Sequence, residues 1–184
     1  MDASDDELVE RVGRGDGEAC RILVERHLGR MLAFAARVLG SPSEAEDVAQ
    51  EVFARVWTHA GRWRPGGARF TTWLHQVALN LCRDRLARRR EVPLDAASDP
   101  VDPAPTPACR LEEAEVRRVV GQAVTALPER QRVALVLCHY QGLSNVEAAD
   151  IMHVGVEALE SLLARARRTL RERLRAVAPG LLEG

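Results

Sequence analysis

The chain has no lysine. All 26 of its cations are arginines, set against 27 carboxylates in 184 residues. A guanidinium suits bidentate contact with phosphate or guanine, but its prevalence alone assigns no function. No apolar run approaches the ~18 residues of a membrane span, and no signal peptide opens the chain, so the expected location is cytoplasmic, without membrane insertion. Cysteine is sparse. Cys20, Cys82, Cys109 and Cys138 form no C-x-x-C pair, which argues against a disulfide scaffold in a protein expected to be reduced. Cys20 stands seven before His27 and Cys138 adjoins His139, and neither spacing is a usual zinc pattern. The remaining histidines, 59, 75 and 153, complete no catalytic set either. No metal, cofactor or catalytic group is expected, and the chain does not read as an enzyme. Aromatic residues number only three Trp, three Phe and one Tyr.

What is present is unevenly distributed. Arginine against Asp plus Glu runs 15 to 13 over residues 1–90, none to 4 over 91–109, and 11 to 10 over 110–184, so the net charge of −1 sums opposed local patches. Residues 91–109 also hold five of the nine prolines. Such a stretch can neither continue a helix nor bury a core, and it reads as a semi-extended acidic linker. It divides the chain into domains at 1–90 and 110–184. Both read as small and helical, giving an all-α protein.

In the first domain Ala45, Val48, Ala49, Val52, Phe53, Val56 and Trp57 recur at three- and four-residue steps, one face of a helix. Ser41, Pro42 and Glu44 form a start signal, so the helix begins near Pro42. The opposite face carries Glu44, Asp47, Gln50, Glu51 and Arg55, a polar and mostly acidic stripe of the kind that is often merely solvated. After a turn with Pro65, Gly66 and Gly67, a second helix starts at Phe70 with Thr71 or Thr72 as cap. The spacing predicts Trp73, Leu74, Val77, Ala78, Leu81 and Leu86 inward and His75, Gln76, Asn80, Arg83 and Arg88 outward. Its last eight residues, 83–90, hold five arginines against Asp84. A surface like this attracts phosphate with steep salt dependence. Trp63, Phe70 and Trp73 lie close by, and flat rings beside cations hold unstacked single-stranded bases. Trp73 suits the core, whereas Trp63, between Arg62 and Arg64, suits core and base contact equally.

The second domain is more specific. Leu127-Pro128-Glu129 opens a helix running through Val133, Leu135, Val136 and Leu137 to Tyr140, and Gly142 ends it in the left-handed conformation. Ser144 and Glu147 form a capping box for a short helix over Val146, Ala148, Ala149, Ile151 and Met152. After His153-Val154-Gly155, a long helix begins near Val156 with Ala158, Leu159, Leu162, Leu163, Ala166, Leu170 and Leu174 on its inward side. Two helices joined by a three-residue turn, the second rich in arginine, form a helix-turn-helix, the arrangement that sets a recognition helix in the major groove.

The segments DVAQEVFARVW, FTTWLHQVALNLCRDRLARRR, LPERQR, GLSNVEAA and ESLLARARR, in this order and at this separation, resemble a bacterial extracytoplasmic-function sigma factor. The match runs from about Asp5 to Leu174, the linker excepted. The resemblance implies two helical domains that bind core RNA polymerase and direct it to promoters, with a stress response and an anti-sigma partner as the usual regulation. It implies that Asp47, Gln50, Glu51 and Arg55 dock on the polymerase. Trp63, Arg64 and Asn80 match residues that capture a flipped −10 base, with Arg83, Arg85 and Arg88 on backbone phosphates. Glu160, Ser161, Arg165, Arg167 and Arg168 match the −35 recognition helix. Two positions depart from the family pattern: His153 replaces a corner glycine, and Gly155 replaces a capping serine. Glu160 and Leu162 replace residues that are basic in some members, so the −35 sequence does not follow by analogy.

Two other classes fit less of the chain. A free-standing helix-turn-helix regulator explains residues 127–175 and leaves the first domain idle. A metal-dependent nuclease built on Glu44, Glu46, Asp47 and Glu51 needs carboxylates that converge on a cleft, and here they are spaced along one helix.

Overall fold

The computed structural model describes residues 3–64, 69–91 and 109–177. Among these residues there are α-helices and no strand: α1 (Asp5–Gly13), α2 (Gly17–Leu39), α3 (Pro42–His59), a 3-10 turn (Ala60–Arg62), α4 (Phe70–Glu91), α5 (Cys109–Thr125), α6 (Glu129–Leu135) followed by a π-helical turn (Val136–Tyr140), α7 (Asn145–Met152) and α8 (Val156–Val177). The expected turn at Pro65–Gly67 lies outside the described residues, as does the linker from 92 to 108. The chain divides into two compact units, one comprising Met1–Ala36 and Pro42–Leu94 and the other Arg37–Ser41 and Asp95–Gly184.

Unit 1 is started by two caps. Ser4 and Glu7 form a capping box on α1, each side chain bonding the other's backbone N–H. Asp16 caps α2: its Oδ1 accepts from the N–H groups of Glu18 (3.0 Å) and Ala19 (3.1 Å), and Oδ2 accepts from Arg11 Nε (2.9 Å). These bonds, first the one from the Ala19 amide and then that from Arg11, hold the Asp16 carboxyl below its ordinary 3.8. A depressed carboxyl contributes stability that is complete above the ordinary value and is lost as pH falls through the folded one. Asp16→Ala is therefore expected to lower the melting temperature at pH 7, by an amount that shrinks toward pH 3 in thermal scans.

The core of unit 1 is built on Leu8, Leu23, Met31, Phe34, Leu74 and Leu79, all fully buried. On α3 the buried residues are Ala45, Val48, Ala49, Val52, Phe53 and Val56, as the periodicity predicts. Trp57 departs from it and is 48 % exposed. At 100° per residue it sits about 120° around from Ala45, beyond the edge of the buried arc.

The facing of α4 needs a larger correction. The helix starts at Phe70, and its first turn is closed on the Arg69 carbonyl by the N–H groups of Thr72 and Trp73, so Thr71 and Thr72 lie inside the helix and are not caps. His75, expected outward, is fully buried, with Nδ1 2.7 Å from the Thr71 carbonyl and its ring edge-on to Phe34 at 5.5 Å. Leu79 and Cys82 are buried beside it, whereas Trp73, Val77 and Leu86 are only half-buried. The buried positions from Phe70 to Cys82 span an arc of about 200°, which a pattern built on the strictly apolar positions could not centre.

In unit 2, Leu127, Val133, Ala134, Leu137, Ile151, Leu159, Leu163 and Ala166 form the core. The helix expected to run to Tyr140 widens instead into a π turn, in which the Gln141 N–H bonds the Val136 carbonyl at 3.0 Å. Val133 to Leu137 are five successive buried residues, which leaves no solvent side for a regular amphipathic turn. Gly142 then turns the chain at φ +67. Ser144 and Glu147 make the expected capping box on α7. His153 sits at φ 53, ψ 51 in the left-handed region, which costs a non-glycine residue on the order of 1 kcal/mol. On α8, Leu159, Leu163 and Ala166 are buried and Leu162, Leu170 and Leu174 half-buried, but Ala158 is exposed, about 100° off the line of Leu159.

Candidate nucleic-acid interface

Three surfaces carry the residues singled out by sequence. On α3, Asp47, Gln50 and Glu51 are exposed, and half-buried Arg55 donates from Nε to Glu51 Oε1 at 3.1 Å, one turn away. Glu44, expected on the same stripe, belongs elsewhere, because Arg89 of α4 donates to its carboxylate. Trp57 takes a place on the exposed side, two turns beyond Gln50. In the apolar rhythm of α3 it reads as a core position. Its signal was positional, since it is the last apolar residue of the helix and the furthest around from the centre of the face.

On α4, Asn80 and Arg88 are exposed, and Arg83 and Arg85 are half-buried. Asn80, Arg83 and Arg88 fall within about 140° of one another around the helix, and Arg85 points about 140° from Asn80 toward the side of Arg89. At the start of the same helix the aromatic residues form one cluster. Trp63 meets Phe70 and Trp73 edge-on at 5.8 and 6.0 Å, Phe70 and Trp73 are stacked at 6.0 Å, and His27 meets Phe70 edge-on at 5.5 Å. Phe70 is buried; Trp63 and Trp73 are half-buried and face an open cleft of about 260 Å³ that Val9, Arg62 and Arg64 also line. Trp63 thus serves packing and surface together. Its indole Nε1 donates to Asp6 at 3.1 Å, and Arg64 donates to the Trp63 carbonyl at 3.0 Å. Asn80 is seven residues past Trp73, about 10 Å farther along the helix, and is not among the residues of this cleft.

On α8, Glu160, Ser161, Arg165, Arg167 and Arg168 are all exposed. Glu160 accepts from Asn145 Nδ2 of α7 at 3.3 Å, and Arg167 bonds His139 at the end of the π turn at 3.2 Å. Ser161 and Arg168 share the central exposed stripe two turns apart, while Arg165 and Arg167 occupy opposite shoulders. Val146 on α7 and Val156 on α8 are exposed near the same turn, at 60 % and 37 %. Val146, grouped by sequence with the apolar residues of the short helix, thus lies outside the buried set of Ala148, Ala149, Ile151 and Met152.

The thiols of Cys20 and Cys138 are pushed upward by burial, the direction opposite to that of a reactive thiolate. Among the described residues no group of three or more His, Cys, Asp or Glu side chains is placed to hold a metal ion. Likewise no described helix is long and apolar enough to cross a membrane.

Residues 23–92 match Sigma-70 region 2, and residues 117–170 match Sigma-70 region 4. The RNA polymerase sigma-H factor of Pseudomonas aeruginosa is 32 % identical over 177 residues, covering 90 % of this chain and 91 % of that one. The chain belongs to the extracytoplasmic-function (ECF) sigma factors. The ECF factor SigW of Bacillus subtilis is 28 % identical over 91 % of this chain and 95 % of its own. Among solved structures, CnrH in complex with the cytosolic domain of CnrY aligns with a TM-score of 0.68 and 31 % identity, covering 94 % of this chain and 97 % of that one. The sigma factor RpoE of Bartonella quintana, in complex with the anti-sigma factor NepR, shares the fold at a TM-score of 0.69 and 23 % identity over 84 % of this chain and 96 % of its own. ECF sigma factors direct RNA polymerase to promoters, and the family is not an enzyme class.

Proposed function

We propose that this ECF sigma factor divides its work among the three surfaces. Asp47, Gln50, Glu51 and Arg55 of α3, with Trp57 as an aromatic anchor, dock on core polymerase. Trp63 and Arg64 receive an unstacked base of the −10 element, Asn80 reads a neighbouring one, and Arg83, Arg85 and Arg88 hold phosphates. In the second domain Glu160, Ser161, Arg165, Arg167 and Arg168 contact the −35 element. The functional boundaries are 1–90 for polymerase and −10 binding, 91–109 for the linker, and 110–184 for −35 binding. The observation that carries this reading is the opposite charge of two exposed surfaces in unit 1. Carboxylates on α3 would repel phosphate and suit a protein partner, whereas the arginine-rich end of α4 and the aromatic cleft suit single-stranded DNA.

The location that fits this work is the cytoplasm, and the control that fits it is a cognate anti-sigma factor. CnrH with CnrY and RpoE with NepR support that second expectation.

Run-off transcription from the protein's own upstream region, with core polymerase in the presence and absence of the purified chain, tests the whole reading. A discrete transcript that needs the chain supports it. Specific binding of duplex by the chain alone, with no affinity for core, would favour the free-standing regulator. On the same template Asn80→Ala is expected to reduce promoter opening about tenfold while closed-complex formation changes little, the loss expected for one buried polar contact to a flipped base. Permanganate reactivity of melted thymines reads opening directly, and a footprint equal to wild type removes Asn80 from the base-reading set.

A further inference from the structure

We infer that α1 braces the strand-capturing segment and that Asp6 is the positioning residue for Trp63. The inference rests on the role proposed above for Trp63 in the −10 element. Two independent features of unit 1 lead to it. Asp6, in the first turn of α1, accepts the indole N–H of Trp63 at 3.1 Å, across 57 residues of sequence. At the other end of the same helix, a Cβ on Gly13 would lie 2.9 Å from the Ala60 carbonyl oxygen and 3.0 Å from Gly61 Cα. Only glycine lets α1 seat directly on the backbone of the 3-10 turn that leads into Trp63. The helix therefore grips the segment 60–63 at both ends, once through a side chain and once through backbone.

Neighbouring contacts hold the brace in place. Asp5 bonds His27 Nε2 at 2.8 Å and Arg26 Nη1 at 3.1 Å, tying the start of α1 to α2. His27 in turn meets the edge of Phe70, which packs on Trp63. The result is a ring fixed by one hydrogen bond at its edge and two aromatic neighbours on its flank. Nε1 is the only hydrogen-bond donor of an indole. With that donor engaged by Asp6, Trp63 can offer a base its π surface alone, so its contribution to binding is stacking and tolerates any base identity. Base selection then falls to other groups, and the part played by Asp6 is to hold the ring at a set angle before DNA arrives.

The test uses the full chain with core polymerase and a promoter that carries 2-aminopurine in the −10 element. Asp6→Ala is expected to reduce the fluorescence change of base unstacking, and the rate of open-complex formation, about tenfold, in line with the loss of a hydrogen bond to a charged acceptor. Affinity for core polymerase is expected to stay within twofold of wild type. Asp6→Asn keeps an acceptor oxygen and is expected to recover most of the opening rate, an outcome that a purely stabilising role for Asp6 would not separate from Asp6→Ala at equal melting temperature. Combining Asp6→Ala with Trp63→Phe, which keeps a ring but no donor, should cost no more than either change alone. Additive losses, or normal opening by Asp6→Ala alongside defective opening by Trp63→Ala, overturn the brace and leave the −10 role of Trp63 standing. Normal opening by Trp63→Ala removes that role itself. Gly13→Ala supplies a second route, expected to slow opening with core affinity retained. Opening at the wild-type rate by this variant would show that the seat of α1 on the 3-10 turn does not position the ring.

Discussion

Replacing Asp47 with arginine and Trp57 with alanine together is expected to weaken association with core polymerase by roughly a hundredfold, while far-ultraviolet circular dichroism and the melting temperature stay near wild type. Asp47 is exposed and Trp57 is 48 % exposed, and neither belongs to the buried face of α3. Interfaces concentrate their energy in a few aromatic and charged positions, and truncation of a central tryptophan commonly costs about 2 kcal/mol or more. The charge reversal adds repulsion of whatever cation Asp47 meets, and its share should fall as salt is raised. Titration of labelled core polymerase with the variant measures the effect. Unchanged affinity with native circular dichroism would move the docking surface off this face of α3. The Arg55–Glu51 pair is a poorer target, because an exposed pair one turn apart stabilises little and its removal confounds charge with helix propensity.

Phe34→Ala should produce the largest loss of stability, about 3–5 kcal/mol, because a fully buried ring is replaced by a cavity that α2 and α4 cannot close. Domains of this size have about 5–15 kcal/mol in total, so the substitution removes a large share of the first domain's stability. Urea denaturation followed by tryptophan fluorescence reports on it well, since Trp57, Trp63 and Trp73 all lie in unit 1. A midpoint shift worth less than about 1 kcal/mol would mean that Phe34 is not packed against His75 as described. The substitution also separates core from site. Phe34 belongs to none of the three proposed surfaces, and any loss of transcription should follow the loss of folded protein and disappear at low temperature.

His75 marks the limit of what periodicity can reveal. A histidine one step off the apolar line reads as solvent-facing. Here it is enclosed because α4 buries about 200° of its circumference, and its ring nitrogen finds a partner in the carbonyl of Thr71, inside its own helix. Trp57 is the reverse case. It continues the apolar rhythm of α3 yet lies past the edge of the packed arc. Each misreading has the same source: sequence spacing fixes angles around a helix axis, but how wide an arc is covered depends on the helices packed against it.

Local signals were legible wherever the physics is local. The capping box at Ser144–Glu147, the left-handed Gly142 and the start of α3 at Pro42 all follow from residues within four positions of one another, and all are found in the structure. The motifs that place the chain among ECF sigma factors are of this kind too. Their order along the chain, and the acidic, proline-rich stretch between them, needed only composition and spacing.

Contacts between distant residues were decided by tertiary structure alone. Asp6 meets Trp63 across 57 positions, and Glu44 meets Arg89 across 45. Such pairs leave no spacing signature, because the chain between them contributes only the geometry of its helices and turns. The sequence by itself therefore determined an all-α ECF sigma factor with an arginine-rich helix-turn-helix. The packing of the helices of unit 1 on one another and on the 3-10 turn decided which tryptophan is exposed, which is held by a carboxylate, and which cations remain at the surface.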